Sequence, residues 1–274
     1  MRVLLGGLLL LSASCFGQDS VVTAAIERKT ASLSAMLVEE VRRSTVALDD
    51  AAVNAYVEQL GRRLARGGDA AQSWSFSVIT DNRGGSTYEP VSLPGGQIFV
   101  PVRLILAAES EAELAAMMAH AMGHVTAGHG KPGQVPGAQV VNTSSIPLIF
   151  MGGWMGLGDG GGLALPAAVL EQHRGWELEA DRAGVQLLSE SGFDAAALVH
   201  YIERTQQDRG QARHSALPPK AERTAALRTL VGDGSAQGRT TDEFHGVQIR
   251  VRELTESRQS VKREPPSLKR PNER

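Results

Sequence analysis

The hydrophobic pattern changes period several times along the chain, and each change marks an element. Residues 19–66 follow the helical period, with AMLVEEVRRS succeeded by DDAAVNAYVEQLGRRLARGG. In the second of these, Val53, Tyr56, Val57, Leu60 and Leu64 keep to one stripe, which predicts a core face. Asp49 or Asp50 is the expected cap, and Gly67 and Gly68 the stop. Residues 74–79, WSFSVI, alternate and predict a strand. A turn over 82–85 leads to LPGGQIFV, read as a second strand entered through a glycine pair. Next comes AMMAHAMGHVTAGHG, residues 116–130, read as one helix with an acidic approach over 109–114, favourable at the positive end of the helix dipole. A long helix is expected from Pro166 to about Gly192, since proline suits a first helical turn. Amphipathic helices over 194–207, 220–230 and 242–254 follow. The pattern as a whole is α+β, mostly helical, with a small sheet beside the histidine-bearing helix.

One stretch breaks the rhythm. From 132 to 170 the only charged residue is Asp159. Pro132, Pro136, Pro147 and Pro166, with seven glycines over 152–162, exclude a continuous transmembrane helix. Residues 132–165 are therefore expected to form an apolar, glycine-rich lid beside the site, with a peripheral membrane contact as the alternative.

Composition narrows the class. The chain has 274 residues, 42% hydrophobic and 21% charged, enough for one globular domain with attached segments. A net charge of −2 offers no argument for a nucleic-acid partner. Residues 1–17 combine one arginine, an apolar run over 3–11 and small residues near a cut after Gly17, the form of a secretory signal peptide. The single cysteine, Cys15, would leave with it. A lipid-modified N-terminus at Cys15 is disfavoured because Ser12 stands where such a signal prefers a leucine-like residue. The mature chain would then have neither a disulfide nor a thiol nucleophile. Residues 18–256 are expected to form one domain, and the polar, basic, proline-containing 257–274 a disordered tail.

The candidate chemistry lies on the 116–130 helix. His120 and His124, four apart, share one helical face, so both rings can reach a single ion. This is the metal-binding half of HExxH, in which the second residue is a glutamate that serves as general base toward zinc-activated water. Ala121 stands there instead, so metal binding and catalysis are separable in this chain. On the following long helix, Glu177 and Asp181 also lie four apart on one face, and small Ala180 and Gly184 beside them favour an inward-packed face.

The ordered set LPGGQIFV, ELAAMMAHAMGH, ELEADRAG and HSALPPKAERTAAL resembles the zinc metallopeptidase family of BepA, HtpX and the CAAX prenyl proteases, over about 36–254. The resemblance implies a zincin-like (gluzincin) fold. It also implies one Zn2+ held by His120, His124 and Glu177, the glutamate of an ExxAD pattern, with Asp181 orienting a ligand histidine from behind. Such a set leaves a fourth tetrahedral position for water. The resemblance further implies that Leu93, Pro94, Gly95, Gly96, Gln97, Ile98, Phe99 and Val100 form a sheet edge on which an extended peptide is laid. His214 falls where relatives carry a histidine able to occupy the fourth position, although Ser215 replaces the proline that follows it there.

Replacement of the base costs about 10²–10⁴ in rate. Glu113, two turns from Ala121, and Glu179, pointing away from Glu177, are poor substitutes. His173, four before Glu177, is read as a surface residue rather than an extra ligand. His129, His200 and His245 have no partner at ligand spacing and are read as structural or exposed. Two functions survive. One is a zinc metalloendopeptidase-like protein of the periplasm or envelope with strongly reduced proteolysis. The other is a pseudopeptidase acting as a zinc-stabilised chaperone or assembly factor that binds unfolded or extended polypeptide, with the envelope assembly machinery as a further partner.

Overall fold

The computed structural model describes residues 13–68, 72–81, 88–130, 167–206, 217–231 and 241–263. The expected lid over 132–165, the turn over 82–85, His214 and residues 1–12 lie outside the described residues.

The described residues open with helix α1 (Ala13–Ser44), which runs through the expected cleavage point and into strand β1 (Thr45–Ala47). Helix α2 (Ala51–Ala65) starts at Asp50, whose carboxylate accepts the Val53 N–H at 3.0 Å; this settles which aspartate is the cap. All five stripe residues of α2 are buried. Strands β2 (Ser75–Asp81), β3 (Val91–Leu93) and β4 (Gln97–Pro101) follow, then a short α3 (Val102–Ala107). Helix α4 (Glu111–Thr126) carries the histidine pair. Helices α5 (Ala167–Glu190), α6 (Ala196–Thr205), α7 (Lys220–Val231) and α8 (Asp242–Arg263) complete the described residues.

The sheet runs β1-β2-β4-β3 and is mixed, with β2 and β4 parallel and both outer pairs antiparallel. Alternation along the strands divides the hydrophobic residues between its faces. Phe76, Val78, Ile98 and Val100 enter the main core with α2, α4, α5, α6 and α8. Ile79, Val91, Leu93 and Phe99 meet Leu37 and Val41 of α1 on the other face. The sheet is thus covered on both sides, and α4, nearly all buried, occupies the centre.

Three expectations need correction. LPGGQIFV is not one strand: β3 ends at Leu93, Pro94–Gly96 turn, and β4 begins at Gln97. Gly95 and Gly96 sit at φ 101° and 92°, and a Cβ on Gly96 would lie 2.0 Å from the Ser73 carbonyl oxygen, so glycine is required there. Nor is the second half of that motif a sheet edge. Gln97, Ile98 and Phe99 are paired on both sides, to β2 and to β3, which leaves no free ladder for a peptide. Among the described residues the outer strand at this end of the sheet is β3, to which only Leu93 of the motif belongs. Finally, the expected tail begins too early, because α8 continues to Arg263. Its earlier turns are anchored: Phe244 and Val251 are buried, and the Gln248 amide donates to the carbonyls of Ile105 at 2.9 Å and Ala108 at 2.7 Å. Among the described residues no helix is long and apolar enough to cross a membrane.

Candidate metal centre

Helix α4 begins at Ser110, whose hydroxyl accepts the Glu113 N–H at 3.2 Å, while the Glu113 carboxylate accepts the Glu109 N–H at 2.7 Å. That carboxylate is also ion-paired with Arg204. Glu113 is thus part of the helix start and is committed there. Burial raises its pKa, against the Glu109 hydrogen bond and Arg204, which lower it.

Helices α4 and α5 cross at very short range. A Cβ on Gly123 would meet the Ala180 carbonyl oxygen at 2.6 Å, and one on Gly184 would meet the His120 backbone at 3.0 Å. The small residues flanking Glu177 and Asp181 therefore do what their size suggests, letting α5 press its carboxylates against the α4 histidines.

The result is a triangle of donor atoms. His120 Nε2 lies 3.2 Å from His124 Nε2 and 3.4 Å from Glu177 Oε2, and His124 Nε2 lies 3.5 Å from Glu177 Oε1. Three ligands held at the ordinary zinc distances of about 2.0–2.1 Å in tetrahedral geometry are about 3.3–3.4 Å apart. The residues fit a small divalent ion on a second count as well, since Glu177 Oε2 is buried without a hydrogen-bond partner. These three form the one cluster of metal-ligating type among the described residues.

Each imidazole is also held at Nδ1. His120 Nδ1 donates to Asp181 Oδ1 at 2.8 Å. Asp181 in turn accepts from Arg223, Nε to Oδ2 at 2.7 Å and Nη2 to Oδ1 at 2.9 Å, a two-point clamp. Arg223 is fully buried and also reaches Glu89 at 3.2 Å and Gln206 at 3.1 Å. Burial works against the Asp181 carboxylate, but Arg223 and His120 together hold its pKa below the usual range. For Glu177 burial is likewise outweighed, by His124 and His120, and its pKa lies well below normal. Burial also disfavours charge on His120, yet Asp181 and Glu177 lift its pKa to about 9. A proton on His120 thus balances the clustered carboxylates when no metal does so.

His124 meets a different partner. Its Nδ1 lies 3.0 Å from His129 Nδ1, and His129 Nε2 lies 3.1 Å from Glu179 Oε2. A helix continued to Gly130, as the hydrophobic pattern predicts, would not bring these rings together. Instead α4 stops at Thr126, Gly128 adopts φ 74°, and the His129 N–H bonds back to the His124 carbonyl at 2.9 Å. That turn places His129 beside His124. His129 stacks on Trp176, with ring centroids 5.1 Å apart. His173, expected on the surface, is buried against the same Trp176, and burial lowers its pKa to about 4. His200 and His245 are exposed, as expected.

The base position holds a buried methyl, Ala121, at 1% exposure. The acids with partners around the cluster are all engaged, Glu113 by Arg204, Glu179 by His129, Glu89 and Asp181 by Arg223. Arg223 comes from α7, and nothing in the sequence marks it beyond its place in the HSALPPKAERTAAL motif.

Comparison with known proteins finds metallopeptidases. A family model described as peptidase family M48 matches residues 51–231. The beta-barrel assembly-enhancing protease of Escherichia coli K12 is 27% identical over 197 residues, 67% of this chain and 38% of that protein. A putative beta-barrel assembly-enhancing protease of Vibrio cholerae is 28% identical over 192 residues, 65% of this chain and 37% of the relative. The mitochondrial metalloendopeptidase OMA1 of Schizosaccharomyces pombe is 27% identical over 205 residues, covering 69% of this chain and 56% of the relative. The chain thus spans well under half the length of the two bacterial relatives.

Proposed function

The chain belongs to peptidase family M48, and from that premise we propose that it is a zinc-holding metalloendopeptidase-like protein of the cell envelope in which proteolysis is strongly reduced. The observation that carries this reading is the conjunction of a complete donor triangle, His120, His124 and Glu177, with a buried methyl at position 121. Two ring nitrogens and a carboxylate are a zinc donor set.

The residues divide the work as follows. His120 and His124 present Nε2, and Glu177 presents its carboxylate, from two helices pinned by glycine contacts. Asp181 fixes the His120 ring, and Arg223 keeps Asp181 ionised and immobile. Zinc bound there would polarise a peptide carbonyl and acidify a water in the remaining position. Moving the water's proton to the departing amine needs a positioned acceptor, and Ala121 provides none. Glu113, Glu179 and Glu89 are held elsewhere by the ion pairs described above.

That engagement favours a second reading, a pseudopeptidase whose zinc stabilises a frame for binding extended polypeptide as a chaperone or assembly factor. Residues 1–17 and their signal-like pattern support export to the periplasm. Mass spectrometry of the exported chain tests this: an N-terminus after Gly17 is expected.

Activity and metal content separate the two readings. Elemental analysis is expected to find one zinc per molecule, lost on combining His124→Ala with Glu177→Ala. Wild type is expected to cleave casein very slowly or not at all, and Ala121→Glu to raise the rate by about 10²-fold or more with unchanged zinc. A wild type as active as Ala121→Glu overturns the reduced-activity reading. A zinc-loaded but silent Ala121→Glu, still silent with His214→Ala added, selects the binding protein.

A further inference from the structure

With His124 Nε2 turned to a metal, the two hydrogen bonds behind its ring admit only one placement of protons. If His124 offers Nε2 to a metal, its single proton is on Nδ1, and Nδ1 faces another ring nitrogen, His129 Nδ1, at 3.0 Å. Two protonated nitrogens cannot share that distance, so His129 Nδ1 accepts. The His129 proton must then be on Nε2, which faces the Glu179 carboxylate at 3.1 Å, a group that can only accept. Each donor in this chain meets an acceptor.

We propose that His129 is the positioning residue for His124, fixing its ring and its tautomer through the Nδ1–Nδ1 hydrogen bond, with Glu179 fixing His129 in turn. The inference rests on the metal reading above and adds to it residues outside the donor triangle and outside the Asp181 clamp. Three observations equip His129 for the role. Its side chain is 5% exposed. Trp176 stacks on its ring at an interplanar angle of 18°, which restricts rotation. Its own backbone N–H bonds to the His124 carbonyl at 2.9 Å, so ring and backbone both register on the same ligand. Glu179 is 55% exposed, so the chain ends in water and its last link is weaker than its first.

The test is carried out on the full chain with zinc alone as the probe. Long-range proton–nitrogen NMR of the zinc-loaded wild type is expected to show His124 protonated at Nδ1 and His129 at Nε2. His129→Phe keeps an aromatic ring against Trp176 but removes the acceptor. Its zinc dissociation constant is expected to rise about 10–100-fold, the range for residues that orient metal ligands. The His124 Nδ1 proton should then exchange rapidly while that of His120, held by Asp181, stays protected. A merely structural role would not single out one of the two protons. His129→Gln restores an acceptor oxygen and is expected to recover part of the affinity. Glu179→Gln should weaken zinc by only about two- to fivefold, in keeping with an exposed pair. A wild-type His129 protonated at Nδ1 overturns the inference without recourse to any variant, as does a folded His129→Phe that holds zinc as tightly as wild type. Absence of zinc from the wild type overturns the metal reading itself and this inference with it.

Discussion

The two histidines of α4 are one turn apart and chemically alike, yet the molecule holds them by opposite means. Behind His120 stand full charges in a dry interior: Asp181, 1% exposed, clamped by Arg223, 0% exposed, whose guanidinium also meets Glu89, Gln206 and Glu177. Behind His124 stand a neutral ring, an indole and a carboxylate that reaches water. The difference teaches where each arrangement is vulnerable. A buried ionic network tolerates no missing member, because a partner left alone is an uncompensated charge in a low dielectric. A neutral chain ending at the surface loses only orientation when cut.

The sharpest way to break this comparison is to cut the buried side. Arg223→Met is expected to destabilise the fold by about 3–5 kcal/mol, as removal of one partner of a buried pair does. Urea unfolding measures it, and a loss within about 1 kcal/mol would erase the contrast.

In the metal-free protein, pH acts on the same surroundings from two directions. His120 has a folded pKa of about 9, above its ordinary 6.5, so its contribution is complete below 6.5 and is lost as pH rises to about 9. His173 has a folded pKa of about 4, so the folded state disfavours its proton and stability falls as pH drops from 6.5 toward 4. These two groups together predict a maximum near pH 6.5. Each limb is worth up to a few kcal/mol, because every tenfold change in proton affinity between the unfolded and folded states amounts to about 1.4 kcal/mol. Saturation with zinc, which takes the place of the His120 proton, should remove the alkaline limb and leave the acid one. Melting temperature against pH, with and without zinc, reads both.

Smaller effects come from two glycines of α5. Gly184→Ala places a methyl against the His120 backbone and is expected to cost about 1–3 kcal/mol through a forced shift of the crossing. Gly175→Ala meets nothing within 4 Å and is expected to gain about 0.5–1 kcal/mol from helix propensity. Urea unfolding of the two variants reads both, and opposite signs on one helix would place the tight contact at the metal-binding face alone.

What is legible in the sequence follows the range of the interaction that decides it. A cap at Asp49 or Asp50, the α2 stripe and the pairing of His120 with His124 are decided within a turn or two, and local spacing reveals them, leaving to the structure only the choice of Asp50. Glu177 and Asp181 are legible through a motif, and the crossing glycines agree with it. Burial of His173 is hidden because it depends on Trp176 and on what covers it, not on the residue type. His129 is hidden because one positive-φ glycine, Gly128, reverses the direction that helical periodicity assumes. The place of Ile98 and Phe99 inside the sheet escapes because it is set by pairing with β2 on one side and, across the Pro94–Gly96 turn, with β3 on the other, and neither pairing is visible in the alternation of a single strand. Arg223 is the extreme case, for its partners Asp181 and Glu89 are 42 and 134 residues away.

The α4–α5 crossing has a further consequence, in the statistics of the unfolded chain. His124 and Glu177 lie at the two ends of a segment of about 50 residues, so an ion gripped by both acts as a reversible cross-link. By the loop-entropy relation used for disulfides, such a closure removes about 4 kcal/mol of unfolded-state freedom. The only cysteine of the chain is Cys15, so no disulfide within it can supply that tether. Because the entropy grows only with the logarithm of loop length, doubling the intervening segment would change it by about 0.6 kcal/mol. The segment between the helices is therefore nearly free to lengthen or shorten, while the knot that closes it stays the same.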